Sequence, residues 1–275
     1  MSLFTIDEKK CKRDGICVAE CPIKIIAMKD ASSTPEPTPD AAERCIRCGH
    51  CVAVCPHGAL THSMLKHEDC PTLDRALSLS PAQAEQFLRS RRSIRTYQDK
   101  RVEQEKLQRL IELARYAPTG GNSQLVSWLV VNSRDEVKKL AAMVVDHMRE
   151  LVKAKAPIAL NYRLDRVVAD WEIGADGVTR GAPALVFAHA PKAYGLGAVD
   201  CTSALAYFDL AAPTFGLGAC WAGFVMMGLL QWQPLREALK VPADNVVHGV
   251  LMAGYPKYRY QRLVPRNAPK IEWRM

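Results

Sequence analysis

The stretch "CIRCGHCVAVCP", residues 45–56, decides how the N-terminal part of the chain is read. Cys45, Cys48, Cys51 and Cys55 follow the pattern C-x2-C-x2-C-x3-C, and Pro56 closes the run. Four thiols at that spacing followed by proline form the ligand run of an iron–sulfur cluster. Buried, unligated cysteines do not account for such spacing. The chain has 10 cysteines, and it opens "MSLFTIDEKK", without a basic stretch followed by an apolar one. That combination points to a cytoplasmic, reducing setting, in which clustered cysteines serve metal rather than disulfides.

The same run occurs earlier in altered form. Shifting it back 34 positions pairs Cys45 with Cys11, Cys51 with Cys17, Cys55 with Cys21 and Pro56 with Pro22. Cys48 alone finds no cysteine; Asp14 stands in its place. Gly15 and Gly49 flank the ligand positions, where the chain must wrap closely around its ligand. Between the two copies "DASSTPEPTPDAAE" (30–43) reads as an exposed loop. His50 and His57 sit among the cysteines and read as surface turn residues. Residues 1–64 therefore resemble the bacterial two-cluster ferredoxin domain. In such domains the last cysteine of each run crosses to the other cluster. The resemblance implies one 4Fe–4S cluster on Cys45, Cys48, Cys51 and Cys21. It implies a second cluster on Cys11, Cys17 and Cys55, with Asp14 at the fourth corner. That cluster is 4Fe–4S if Asp14 ligates iron and 3Fe–4S if it does not; a carboxylate holds iron less tightly than a thiolate.

Residues 65–84, with Pro71 and Pro81, read as a linker with room for one helical turn, and Cys70 has no partner at motif spacing. A second domain is expected over 85–275. It begins with "FLRSRRSIRTYQ" (87–98), where four arginines crowd around Ser93. Guanidinium forks suit phosphate, although a solvated basic face has the same composition. In "VEQEKLQRLIELARYAPTGGNSQ" (102–124), Leu107, Leu110, Ile111 and Ala114 recur at helical spacing, and Pro118 ends the helix. Gly120 and Gly121 open a loop carrying Asn122, Ser123 and Gln124. There backbone can approach a flat ligand, and amides can pair along a heterocycle edge. "WLVV" (128–131) reads as a buried strand.

Four motifs in this order resemble the nitroreductase family of FMN-dependent oxidoreductases. They are R-x-S-x-R at Arg91, Ser93 and Arg95, and the A-P-x-x-x-N-x-Q loop from Ala117 to Gln124. "FGLGACWAGF" (215–224) and "GYPKYRYQRLVPR" (254–266) complete the set. Thr119 replaces the family's usual serine. The resemblance implies an α+β fold with a mostly antiparallel central sheet, following the small ferredoxin-type iron–sulfur domain. It implies an intertwined homodimer with FMN at the subunit interface. Its implied cofactor set is Arg91, Arg92, Ser93 and Arg95, the loop residues Thr119, Gly120, Asn122 and Gln124, Gly218, and Lys257, Arg259 or Arg262 from the tail. The loop would reach the flavin of the other chain. Cys201 and Cys220 read as buried filler. Residues 146–180 align least; they are a surface helical hairpin or the cover over the flavin, where substrate choice would lie.

The bulk properties agree. A chain of 275 residues, 48% hydrophobic, has material for two cores. Its net charge of +8 lies wholly downstream of residue 64. No nucleic-acid motif accompanies it, so it reads as a basic surface or an anionic cofactor site. Leu210–Leu235 is uncharged, but its glycines and Pro213 break it into pieces, and no membrane span is expected. Neither "GLGAVD" (195–200) nor "GLGACW" (216–221) completes a dinucleotide fingerprint. The combination implies an oxidoreductase carrying electrons from a ferredoxin or NAD(P)H through the clusters and FMN. The small organic acceptor would be a nitro compound, a quinone or an activated alkene. Two other readings stay open. One is a non-catalytic electron carrier or redox sensor, and the other a specialised relative such as a reductive dehalogenase or flavin-degrading enzyme.

Overall fold

The computed structural model describes residues 2–275. The chain forms two compact units: Met1–Ser78 with Gly121–Ser123, and Leu79–Gly120 with Gln124–Met275.

The first unit repeats itself in space as it does in sequence. Strand β1 (Phe4–Ile6) pairs antiparallel with β4 (Leu60–His62), and β2 (Ile26–Ala27) with β3 (Glu36–Pro37). Three short helices, α1 (Ile16–Glu20), α2 (Ala41–Arg44) and α3 (His50–Ala53), lie between them. Helices α1 and α3 each start from a left-handed glycine, Gly15 with φ 69° and Gly49 with φ 74°. A side chain resists that conformation, which explains glycine at both positions. Phe4, Ile25, Ile26, Val52 and Leu60 make the core, with Cys17 and Cys21 buried among them. The expected loop over 30–43 is only partly a loop. Glu36–Pro37 pairs with Ile26–Ala27, and Pro35 is buried. Proline is tolerated there because β3 is an edge strand. Two 3-10 turns, His67–Asp69 and Arg75–Leu77, carry the chain to the end of this unit.

The second unit is built on strands β5 (Ser127–Val131), β6 (Ala184–Pro191), β7 (Gly218–Trp221) and β8 (Asn245–Gly254). They lie in the order β5-β6-β8-β7, all antiparallel. Alternation along β6 and β8 divides the core. Leu185, Phe187, Val250 and Met252 face α6 (Arg134–Lys153), α10 (Gly223–Gln231) and α11 (Gln233–Leu239). Val186, Ala188, Leu251 and Ala253 face α5 (Gln104–Ala114) and α9 (Gly197–Ala211). With helices on both faces, successive residues are buried on opposite sides, so these strands are mostly apolar, with His189, Asn245 and His248 as the polar exceptions. Helix α4 (Pro81–Ser90) is closed at its start by a reciprocal Ser80–Gln83 capping box.

Helix α5 buries Leu107, Leu110 and Ala114 and ends at Ala114, before Pro118. Residues 128–131 do form a strand, but β5 is half-buried along its length rather than buried. It is one of the two outer strands of the sheet, with a neighbour on one edge only. The 146–180 stretch is the end of α6, then α7 (Pro157–Asn161) and α8 (Leu164–Glu172). Leu164, Ala159 and Val178 enter the core, so it is more than a surface hairpin. The uncharged stretch 210–235 is broken into a helix end, a 3-10 turn, β7 and the next helices. Among the described residues no helix is long and apolar enough to cross a membrane. Residues 257–275 carry no regular structure.

Candidate functional site

In the first unit the cysteines gather in two sets. Cys21, Cys45, Cys48 and Cys51 line one hollow. Cys11, Cys17 and Cys55 line another, with Asp14 and His57. All ten cysteines are free thiols. Among the described residues no three His, Cys, Asp or Glu side chains are grouped as for a single metal ion; each set rings a space instead. Burial, and then the neighbouring Cys48, Cys21 and Cys45, push the Cys51 thiol up to about 11. Burial and the nearby Cys55 likewise raise Cys17. Thiols crowded around one small hollow are what a multinuclear cationic centre satisfies, so this donor set fits an iron–sulfur cluster.

Backbone groups are already aimed at the sulfurs. Arg47 N–H donates to Cys45 Sγ at 3.4 Å, and Ala59 N–H to Cys55 Sγ at 3.4 Å. Asp14 is held at its corner by Ile16 N–H, 3.2 Å from Oδ1, while His57 Nε2 lies 3.7 Å from Oδ2. His57 is exposed in a turn, as expected, and it is also Asp14's neighbour. His50 is exposed, and its Nδ1 faces the Cys48 carbonyl at 3.4 Å. Asn122 is counted with this unit, and its Nδ2 donates to the carbonyls of Ile46 (3.0 Å) and Arg47 (3.1 Å).

In the second unit the arginine segment lies along β7. Ile94 N–H donates to Ala219 O at 2.9 Å, and a Cβ on Gly218 would sit 2.2 Å from Ile94 Cγ1. Glycine at 218 thus lets the segment approach. Lys257 joins the same region, its N–H donating to Thr96 O at 3.0 Å. Arg259 and Arg262 lie farther along the exposed tail. Arg91 and Arg92 are half-buried and Arg95 is exposed. Arg92 Nη1 donates to the carbonyls of Arg89 and Arg91, whereas its Nη2 is buried with no hydrogen-bond partner. An orphaned guanidinium nitrogen is a donor prepared for an anionic group. Arg91 is already engaged: its Nη1 lies 3.3 Å from Oδ2 of Asp209, a residue 5% exposed on α9. Burial raises Asp209 and Arg91 opposes that rise.

Thr119 Oγ1 accepts from Gln124 N–H at 3.1 Å, closing the loop on itself. Asp200 accepts from Gly120 N–H at 3.3 Å and from Tyr194 Oη at 2.7 Å. Thr119 and Gln124 line a groove of about 690 Å³ between α5, β5 and α9. None of Arg91, Arg92, Ser93 or Arg95 lines it. Cys201 and Cys220 are buried, and burial pushes Cys201 up to about 12, so Cys201 is not a poised thiolate.

Residues 88–255 match the Nitroreductase family, and residues 9–60 match the 4Fe-4S dicluster domain. The chain belongs to the nitroreductase family. Among its relatives is an Archaeoglobus fulgidus protein named "Putative NADH dehydrogenase/NAD(P)H nitroreductase". It is 28% identical over 169 residues, which are 61% of this chain and 82% of that protein. The fold is shared with a nitroreductase with bound FMN from Bacteroides fragilis, at TM-score 0.57 and 20% identity, covering 70% of this chain and 99% of that one. It is shared too with a nitroreductase with bound FMN from Desulfitobacterium hafniense, at TM-score 0.54 and 21% identity over 68% of this chain and 97% of that one. The α+β expectation, with its antiparallel sheet and N-terminal iron–sulfur domain, holds.

Within this nitroreductase-family chain, four site-adjacent residues carry no motif. Asp209 reaches Arg91 across 118 positions, Asp200 and Tyr194 hold Gly120, and His62 reaches Cys45. Spacing carries no trace of such contacts. Only the oddity of two acids on the otherwise uncharged α9, Asp200 and Asp209, hints at them.

Proposed function

We propose that this protein is an FMN-dependent oxidoreductase that receives single electrons at two iron–sulfur clusters and delivers them to a small organic acceptor. The observation that carries the proposal is the pair of cysteine-lined hollows in the same chain as a nitroreductase-family domain. Cys21, Cys45, Cys48 and Cys51 would hold one 4Fe–4S cluster. Cys11, Cys17 and Cys55 would hold the other, with Asp14 on its weakest corner as a hard oxygen donor. Arg92 and Arg95, with Ser93 and Lys257, would bind the phosphate of FMN, and the orphaned Arg92 Nη2 supports this. Arg91 contributes a charge partly offset by Asp209.

Bound FMN supplies chemistry that accepts one or two electrons and releases them in pairs. The chain's own part is to bind and orient it. Thr119, Gly120 and Gln124, together with the exposed tail, would complete the site in a homodimer. Thr119 and Gln124 line a groove that holds none of this chain's arginine group, which supports a contribution to the partner's flavin. The donor is a ferredoxin or NAD(P)H. The acceptor belongs to the nitro, quinone or activated-alkene class.

Anaerobically purified protein should contain FMN and about seven to eight iron atoms per chain, the content of two clusters. Its dithionite-reduced form should be reoxidised by a nitroaromatic or a quinone, read as return of the flavin absorbance. Protein without flavin, or with iron for a single cluster, contradicts the proposal.

A further inference from the structure

His62 ends β4 and is 2% exposed. Both of its ring nitrogens are placed. Met64 N–H donates to Nδ1 at 3.1 Å, and Nε2 lies 3.5 Å from Cys45 Sγ. A nitrogen that accepts a backbone N–H carries no proton. In the neutral ring the proton is therefore on Nε2, pointing at the sulfur. Cys45 Sγ thus accepts two N–H groups, from Arg47 and from His62.

The repeat supplies an internal comparison. The 34-residue offset that relates Cys45 to Cys11 relates His62 to Met28, and it superposes β4 residues 60 and 61 on the whole of β2. A thioether has no proton to donate. One half of the domain therefore offers an imidazole N–H to its first cysteine, and the other half offers none at the equivalent position.

We infer that His62 is a redox-tuning residue: its Nε2–H···Sγ bond to Cys45 makes the Cys21/Cys45/Cys48/Cys51 cluster more easily reduced than the same four thiolates would be without it. This rests on the two-cluster reading. The physical reason is direct. Reduction adds one negative charge to the cluster and its thiolates, and a hydrogen bond to a ligand sulfur favours the more negative state. One electron enters, no covalent bond breaks, and the proton stays on Nε2.

The test is anaerobic redox potentiometry followed by electron paramagnetic resonance on the full chain. Asp14→Cys, which changes the other cluster's ligand set, marks that cluster's wave. His62→Met, the residue the repeat places there, should lower the midpoint of the remaining wave and leave the marked one in place. His62→Gln, which can still donate an amide N–H, should restore part of the shift. Both midpoints unmoved in His62→Met, or both moved alike, would overturn the inference. So would Gln and Met behaving identically. If His62→Met fails to assemble its cluster, pulsed resonance on reduced ¹⁵N-histidine protein in a His50→Gln/His57→Gln background decides. A histidine nitrogen coupled to the cluster supports the bond, and no coupling overturns it. Wild-type protein showing a single cluster signal contradicts the two-cluster reading itself, and the inference falls with it.

Discussion

Arg91 shows how one side chain can be claimed by two roles. Its motif position suits a phosphate, yet its guanidinium is paired with the nearly buried Asp209. Removing it would leave a carboxylate in an apolar setting without its partner. Arg91→Ala should therefore destabilise the fold by roughly 1.5–3 kcal/mol, the range for a hydrogen bond to a charged group. Arg91→Ala/Asp209→Asn should recover much of that loss, since the orphaned charge is gone. Urea denaturation measures this, and FMN titration of the stable double variant isolates the phosphate role. Weakened FMN binding there assigns Arg91 to the cofactor, whereas unchanged binding leaves it a purely structural cation. The arginines themselves were legible in the sequence because their spacing to Ser93 is local. Asp209 was not, because 118 residues separate it from Arg91 and only the packing of α9 joins them.

At the scale of elements, legibility followed locality. The 34-residue repeat announced two turn-and-helix units because each ligand set makes the same demand on its backbone. Helix α5 was readable from its apolar stripe. The strand at 127–131 was readable as a strand but not as an edge, since an apolar run looks alike in either place. Strands β6 and β8 carry a further consequence. His189 lies at the register shift between them, with Nδ1 2.7 Å from Asn245 Nδ2, and His248 stands on β8. Burial holds both rings below the ordinary 6.5. The unfolded chain therefore takes up protons first as pH falls, so this stability is complete above 6.5 and is lost on descending from there. Urea midpoints should drop between about pH 7.5 and about pH 5.5, and His189→Gln should flatten the fall. A midpoint independent of pH in this range, or one that rises on acidification, contradicts this account.

At the scale of the whole molecule, the tail bears on assembly. Tyr258, Tyr260, Leu263, Val264, Ile271 and Trp273 are all exposed, and residues 257–275 have no strand or helix of their own. So much apolar surface on an unstructured segment suits burial against a second copy. Truncation after Tyr260 should convert a dimer to monomers in light scattering and lower FMN affinity with it. A full-length monomer, or a truncated dimer, rejects the proposed assembly. The reason for joining cluster ligands and a nitroreductase-family domain in one chain is best tested by following electrons. Full-length protein is reduced anaerobically by a photoactivated one-electron donor while cluster resonance and flavin absorbance are recorded together, beside a Cys45→Ser/Cys51→Ser variant. Reduced-cluster signals should precede flavin bleaching in the wild type, and bleaching should be much slower in the variant. Equal bleaching rates in the two proteins, or clusters that stay reduced beside an oxidised flavin, would show that the clusters do not feed the flavin.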